Sequence, residues 1–504
     1  MAKQLTNVTI EAPAFWGINT EDSPASMPPA FAKSADNCIV DYNGRLASRK
    51  GLEYVTSTGG TGVDITSMYE FSKQDGTTVL FSAGGNKIYT GTTTLTDITG
   101  SLTITADNWQ IVQLDDELHF FQAGHEPLVY DAAVGTLQLH SAHSASVGTS
   151  PQGNCAASGM GRLFTSGVTG AEHVIHWSDL LIGTKWGGGS SGSLDTQKNW
   201  PTGYDTVQAI TIHNNFLVVF GKRNILLYSG AESPSTMVLQ DTISGIGCPH
   251  RDSIVNTGSD LWFLDSSGYR SLGRTIQEKS SPIGSISRNI NTDLRDTVAA
   301  QTLPIKAVFD RKHSNVLLML PTSLLVACFD TSMPLQDGSS RATWWVSTAL
   351  NCAVFMQDES LYFGALDGVK EYSATYTDEG GGYVFRYYGW AQDFGEPTIE
   401  KIPKGMDFTT EGGSDVVLAV KYAYDYSDTY RTTQYTLPTY TNSLFAEGEY
   451  AIAEFSGGSQ IRSRGHVNLT GRGRAISIGF EATINGTVLA IQEMNIHSVL
   501  GRMI

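Results

Sequence analysis

Several groups of residues in this 504-residue chain have types and spacings that chemistry uses. His173-Val-Ile-His176 has the three-residue histidine spacing of some metal sites, but its neighbours read as a strand, where residues three apart point to opposite faces. Gly159-Met-Gly161-Arg162 has the glycine spacing of part of a phosphate loop. With no helix after it and no Lys-Ser/Thr pair, it reads as a hairpin turn. Asp425-Tyr-Ser-Asp428 would need several further oxygen ligands to hold calcium, so it reads as a solvated loop. Asp115, Asp116, Glu117, Asp358 and Glu359 offer the carboxylate pairs of glycoside hydrolysis. They recur, however, at one position of a repeated unit, where short acidic side chains serve the turn backbone. The Ser-x-Asp-x-Gly-x-x-Trp box of sialidases and a Gly-x-Ser-x-Gly elbow are both absent. The residues therefore predict no catalytic site, no cofactor, no metal site and no glycosidase or esterase activity. Cys38, Cys155, Cys248, Cys328 and Cys352 are odd in number and scattered, which fits neither a disulfide framework nor a zinc site.

The element that carries most of these residues is an internal repeat. Thr206 to Gly230 shows it best: Ala-Ile-Thr-Ile, a His-Asn-Asn turn, Phe216-Leu-Val-Val-Phe220, a Gly-containing turn, then Ile225-Leu-Leu-Tyr228. Related units span Trp109 to Asp131, Arg251 to Leu272 and Cys352 to Tyr372, with weaker copies at Thr66 to Tyr89, Cys155 to Trp177 and Ile305 to Phe329. Their starts recur at about 43 to 54 residues, the period of propeller blades. The middle strands are continuous apolar runs, as strands buried on both faces must be, whereas a sandwich strand would alternate.

The repeat divides the chain. Residues 1–54 form a leader stiffened by Pro24, Pro28 and Pro29, expected as an extended N-terminal arm that ends in the first strand; residues 55–393 form the propeller. Beyond, over 394–504, Val416 to Tyr424 and Ala475 to Ala482 alternate with period two, which predicts a small antiparallel sandwich with one wet face per sheet. The expected fold class is all-β: a β-propeller of six or seven blades, a C-terminal antiparallel β-sandwich and an extended N-terminal arm. Phe15, Trp16 and Phe31 are too large and too close together for so short an arm to bury, so the arm, through to Arg49, is expected to dock on a partner chain. A propeller lacking Met1 to Phe31 should then remain soluble but fail to assemble. The net charge of −17 argues against a surface that grips phosphates, and it fits equally a wall along which DNA slides and a merely soluble protein. No signal peptide or membrane-spanning run is apparent, which points to folding in a reducing cytoplasm.

The leader also carries a resemblance. Phe15-Trp-Gly17-Ile-Asn19, Ser23-Pro24, Pro28-Pro29-Ala-Phe31, Asn37-Cys-Ile-Val-Asp-Tyr-Asn43-Gly44-Arg45-Leu46 and Arg49-Lys-Gly51 resemble the leader of tail nozzle, or tail-stabilisation, proteins of short-tailed bacteriophages. Gly471-Arg-Gly473-Arg and the closing Val499-Leu-Gly501-Arg502 are similar to the far end of these proteins. The resemblance implies a virion tail protein made in the host cytoplasm and assembled as a homo-hexameric ring below the portal and its adaptor. Its other partners would be tail fibres, spikes or a plug or needle protein, with double-stranded DNA passing through unbound. The family is structural, so it carries over no catalytic residue. The alternative reading is a receptor-binding or polysaccharide-cleaving propeller at the tail tip. A nozzle is expected to line its axial hole with acidic, hydrated side chains.

Overall fold

The computed structural model describes residues 5–11, 16–41, 44–57, 63–104, 108–277, 284–439 and 462–503. Polar hairpin turns cut its apolar runs into short antiparallel sheets that follow one another along the chain. The first strands of seven such sheets begin at Ser67, Gln110, Cys155, Val207, Val255, Lys306 and Leu350, and all seven line one axial cavity. The fold is a β-propeller, with seven blades among the described residues. Blade 2 shows the pattern: Gln110–Leu114, Glu117–Gln122, His125–Asp131 and Thr136–Leu139, each paired antiparallel with the next. Blade 5 has three strands and is followed by helices Leu272–Gln277 and Asn291–Ala299.

Blade stacking explains the unbroken apolar runs. All six residues of Asn315–Leu320 are buried, as are five of the six in Phe216–Gly221. Phe220 of blade 4 meets Phe263 of blade 5 with ring centroids 5.1 Å apart. A fully buried side chain of this size contributes roughly 1.5–3 kcal/mol, so each blade is stabilised by neighbours that cover both of its faces. The turns meet the expectation of a structural role locally. Met160 and Gly161 both have positive φ between the paired Gly159 and Arg162, which makes a two-residue turn of the kind that matches strand twist. Asp115 and Glu359 are likewise left-handed, and the Asp358 carboxylate accepts the Ser360 N–H.

The leader is not a free arm. Strand β1 (Leu5–Glu11), β2 (Ala32–Asp36), β3 (Cys38–Val40), β4 (Leu46–Ser48) and β5 (Gly51–Ser57) all enter sheets of this same chain. β5 is the outer strand of blade 7, pairing with Gly368–Ser373, and so closes the propeller. The sandwich likewise draws on both ends of the chain. One sheet runs β2, Tyr383–Gly389, Ile476–Ile484, Val417–Tyr424 and Arg431–Thr436. The other joins β3, β4, Leu489–Met503, Ile399–Gly412 and Arg462–Asn468, with β1 also on Leu489–Met503. It therefore already includes Tyr383–Gly389, ahead of the expected start at 394. Leader residues are recruited because an isolated pair of sheets this small leaves edges unpaired, and β1 to β4 cover them. Alternation survives where a face is wet, as in Arg462–Asn468, where alternate residues are buried and exposed. β2 also touches the outer strand of blade 6 through Asp36 and Trp344, which makes one continuous sheet from propeller to sandwich.

Candidate functional site: the leader junction and the axial cavity

The residues singled out in the leader fall in different places. Phe15 lies outside the described residues, as does Asn43 of the expected Asn-Gly turn. Phe31 is buried within this chain, and Trp16, 41% exposed, packs edge-on against it at 5.3 Å. Arg49 is fully buried. Its guanidinium grips Asp378 with two hydrogen bonds of 2.9 and 2.5 Å, donates from Nε to Asn37 Oδ1 at 2.9 Å, and donates to the Lys50 carbonyl at 2.8 Å. It also lies over the Tyr383 ring at 4.3 Å and near Trp345 at 5.9 Å. Trp345 belongs to blade 6, Asp378 follows blade 7 and Tyr383 starts the sandwich, so one cation ties three parts of the fold. Phe31 and Arg49 are thus spent on internal contacts, and of these residues Trp16 stays exposed. The same junction uses Gly17, which has a φ of +77° and sits where a Cβ would strike the Ala342 backbone.

The axial cavity, about 520 Å³, has four charged side chains in its lining: Arg251, Asp252, Lys306 and Arg311. Arg251 makes a two-pronged pair with Asp252, at 2.8 Å on each oxygen. It continues to the Asn154 carbonyl at 2.5 Å and the Asn108 carbonyl at 3.4 Å. Lys306 donates to Ser67 Oγ at 2.9 Å and lies 3.8 Å from Asp252. These groups link blades 1, 2, 3, 5 and 6 around the axis. Burial disfavours the charge on Arg251, but Asp252 outweighs it and holds the guanidinium above its ordinary value. Burial also pushes the Asp252 carboxyl up, and Arg251 with Lys306 more than reverses this, leaving it below the usual carboxylate range. The cavity thus contains a closed polar lock with a single carboxylate, whereas glycoside hydrolysis uses two.

The other sequence candidates are occupied locally. Asp425 accepts the N–H of Arg474 at 2.6 Å, and Asp428 pairs with Lys33 at 2.6 Å. His173 lies 3.6 Å from Asp195, and burial lowers the pKa of His176. All five cysteines are buried free thiols, and burial pushes Cys155 and Cys248 up to about 12. Sequence reasoning passed over a cluster in blade 2 formed by Glu117, His119, Asp131, His140 and His143. Its signal was available: Glu117 and His119 are two apart on a strand and share a face, with two further histidines shortly downstream.

No family model matches the chain, and no curated protein matches it. Among solved structures, it is similar to the extracellular domain of a putative hybrid two-component system from B. thetaiotaomicron, at 12% identity and a TM-score of 0.44. That match covers 68% of this chain and 44% of the other, so the chain spans less than half its length. The WD40 domain of Neurospora crassa Pan2 matches at 7% identity and a TM-score of 0.39, covering 64% of this chain and 95% of that one. YCF48 from Cyanidioschyzon merolae matches at 12% identity and a TM-score of 0.40, with 64% and 98% covered.

Proposed function

We infer that the chain is a structural, non-enzymatic component of a short-tailed bacteriophage tail: a nozzle subunit that forms a ring around the DNA exit path. The observation that supports this reading is the position of the resembling leader. Gly17, Asn37 and Arg49 stitch the outer edge of blade 6 and the end of blade 7 to the sandwich. A protomer whose two domains are locked in this way keeps one fixed shape, as a closed ring of identical contacts demands. Arg251 and its partners bridge blades across the propeller's own axis, so the DNA path in this reading runs between copies, around the axis of the ring. Six copies would attach below the adaptor and carry fibres, spikes or a plug at the free end. The acidic surface would face the ring lumen, where repulsion reaches only about a Debye length of 8 Å from the wall. Electron microscopy of intact particles tests this: the expected result is a six-fold ring on the tail axis. A trimer at the periphery would overturn it in favour of a receptor-binding or polysaccharide-cleaving tip protein.

A further inference from the structure

Glu117 and Asp131 face each other directly across two antiparallel strands of blade 2. Like charges placed opposite in this way are destabilising unless something positive lies between them. Among the described residues neither carboxylate pairs with a lysine or arginine; their only ionic neighbours are histidines. His143 Nε2 lies 3.4 Å from Glu117 Oε1 and 3.6 Å from Asp131 Oδ2. His119 Nε2 lies 3.3 Å from Glu117 Oε2, at an angle that makes no hydrogen bond, and this buried nitrogen has no other partner. Ligand atoms from Glu117, Asp131 and His143 all fall within 4.8 Å of one another. Four ligands held about 2.0–2.1 Å from a tetrahedral ion stand about 3.3 Å apart, which is close to the separations found here.

The surroundings point the same way. Asp131 Oδ1 accepts the Ala133 N–H at 2.8 Å, leaving Oδ2 for the cluster. His143 Nδ1 accepts the Ala145 N–H at 3.3 Å and faces Thr184 Oγ1 at 3.1 Å; a metal on Nε2 would move the ring proton to Nδ1, where Thr184 Oγ1 stands ready to accept it in place of the long Ala145 bond. His119 Nδ1 lies 3.0 Å from His140 Nε2, whose Nδ1 lies 3.0 Å from Ser150 Oγ. When protons run from His119 through His140 to Ser150, His119 Nε2 also presents a bare lone pair. A Cβ at Gly183 would collide with the His119 ring, so the glycine keeps space open beside Nε2.

We propose that Glu117, Asp131 and His143 bind one divalent first-row transition metal of the zinc type, with His119 Nε2 as the nearest further donor. Nitrogen and carboxylate donors without thiolate suit zinc and its neighbours better than calcium, which takes six or more oxygens. The ion would tie the segment after blade 2 to the middle strands of that blade.

The full-length chain, stripped with EDTA and dialysed, is titrated with zinc chloride by calorimetry, with metal content measured after gel filtration. One zinc per chain is expected. Asp131→Asn and His143→Gln should each lower affinity at least tenfold, while His173→Gln leaves it unchanged. Cobalt absorption of the unaltered chain gives a readout that depends on no variant folding: visible bands of a low-coordinate N/O site are expected. Three results would overturn the proposal: no stoichiometric uptake, uptake insensitive to both substitutions, or equal competition by millimolar calcium. A His143 that NMR shows protonated at neutral pH in the zinc-treated chain would also overturn it, since an imidazolium would then hold the two carboxylates together.

Discussion

Propeller and sandwich are made from the same kind of antiparallel strand, yet they recruit it in opposite ways. A blade such as Val207–His213 through Val238–Ser244 is written in fewer than forty consecutive residues and pairs strand with neighbouring strand. The sandwich takes strands from residues 5–48 and from residues 383–503, so its pairs join opposite ends of the chain. Local units tolerate a weak member, as blade 5 shows with its three strands. A sheet assembled from distant segments depends on the few residues that bring them together, and here those residues are concentrated in the leader.

The sharpest break between the two regions should come from deleting residues 1–57. This removes β1 to β4 from the sandwich and β5 from blade 7, so we expect loss of soluble protein on gel filtration. Removing residues 1–11 alone takes only the edge strand β1 and should leave a folded chain. Next in size is Arg49→Met, which strands Asp378 without its cation at the junction of the two domains. Breaking a buried pair in this way costs about 3–5 kcal/mol, and denaturant unfolding should show it. A comparable loss confined to the propeller, with the sandwich unchanged, would contradict the junction role.

Within the propeller, Asp205 accepts the backbone N–H of Lys222 and Arg223 at 3.0 Å each and the Asn224 amide at 2.7 Å. Asp205→Ala leaves these donors without their acceptor and should cost about 1–3 kcal/mol, with hydrogen exchange rising in blade 4 and not in the sandwich. Acid should separate the regions too. His119 and His140 have folded pKa values below the ordinary histidine value of about 6.5, because burial disfavours their charge. Their unfolded forms bind protons first, so stability is full above about pH 6.5 and declines as pH falls below it. In the sandwich, burial raises the Asp407 carboxyl, but His466 and His497, at 2.6 and 2.9 Å, outweigh this and lower it. Its contribution is retained until pH falls into the carboxylate range. Metal-free protein at pH 5.5 should therefore exchange amide hydrogens faster in blade 2 than in the strand Ile399–Gly412. The smallest effect is expected for Trp16→Ala, which should shift stability by less than about 1 kcal/mol, as surface changes do. Loss of assembly into particles with stability intact would mark Trp16 as a contact to a partner.

The propeller was legible in the sequence because its information is local. Leu217 to Phe220 and Leu261 to Leu264 declare doubly buried strands by their composition, and the period sets the blades apart. The sandwich was legible only by half. Alternation marked Val417–Tyr424, but nothing local in Ala32–Asp36 tells that its edge will receive Tyr383–Gly389. For the same reason Arg49 read as a surface group of an arm: its burial is supplied by residues about three hundred positions away, including Trp345 and Asp378. The histidine cluster escaped notice because Glu117 sits beside a turn where an acidic residue has a sufficient structural reason to be.

The strand β5 gives the molecule a timetable. It leaves the ribosome early, but its partner Gly368–Ser373 is about 300 residues behind. At roughly 5–20 residues per second, that interval lasts from about a quarter of a minute to a minute. Throughout it, Leu52 and the backbone groups around it are a solvent-facing edge in search of a mate, while six blades form in order between them. A nascent chain in this state is open to pairing with the next chain on the same messenger, so crowded polysomes, rather than the finished protein, are where misassembly would begin. Slowing translation before residue 368 should thus lower the yield of native protein more than the same pause placed after residue 373.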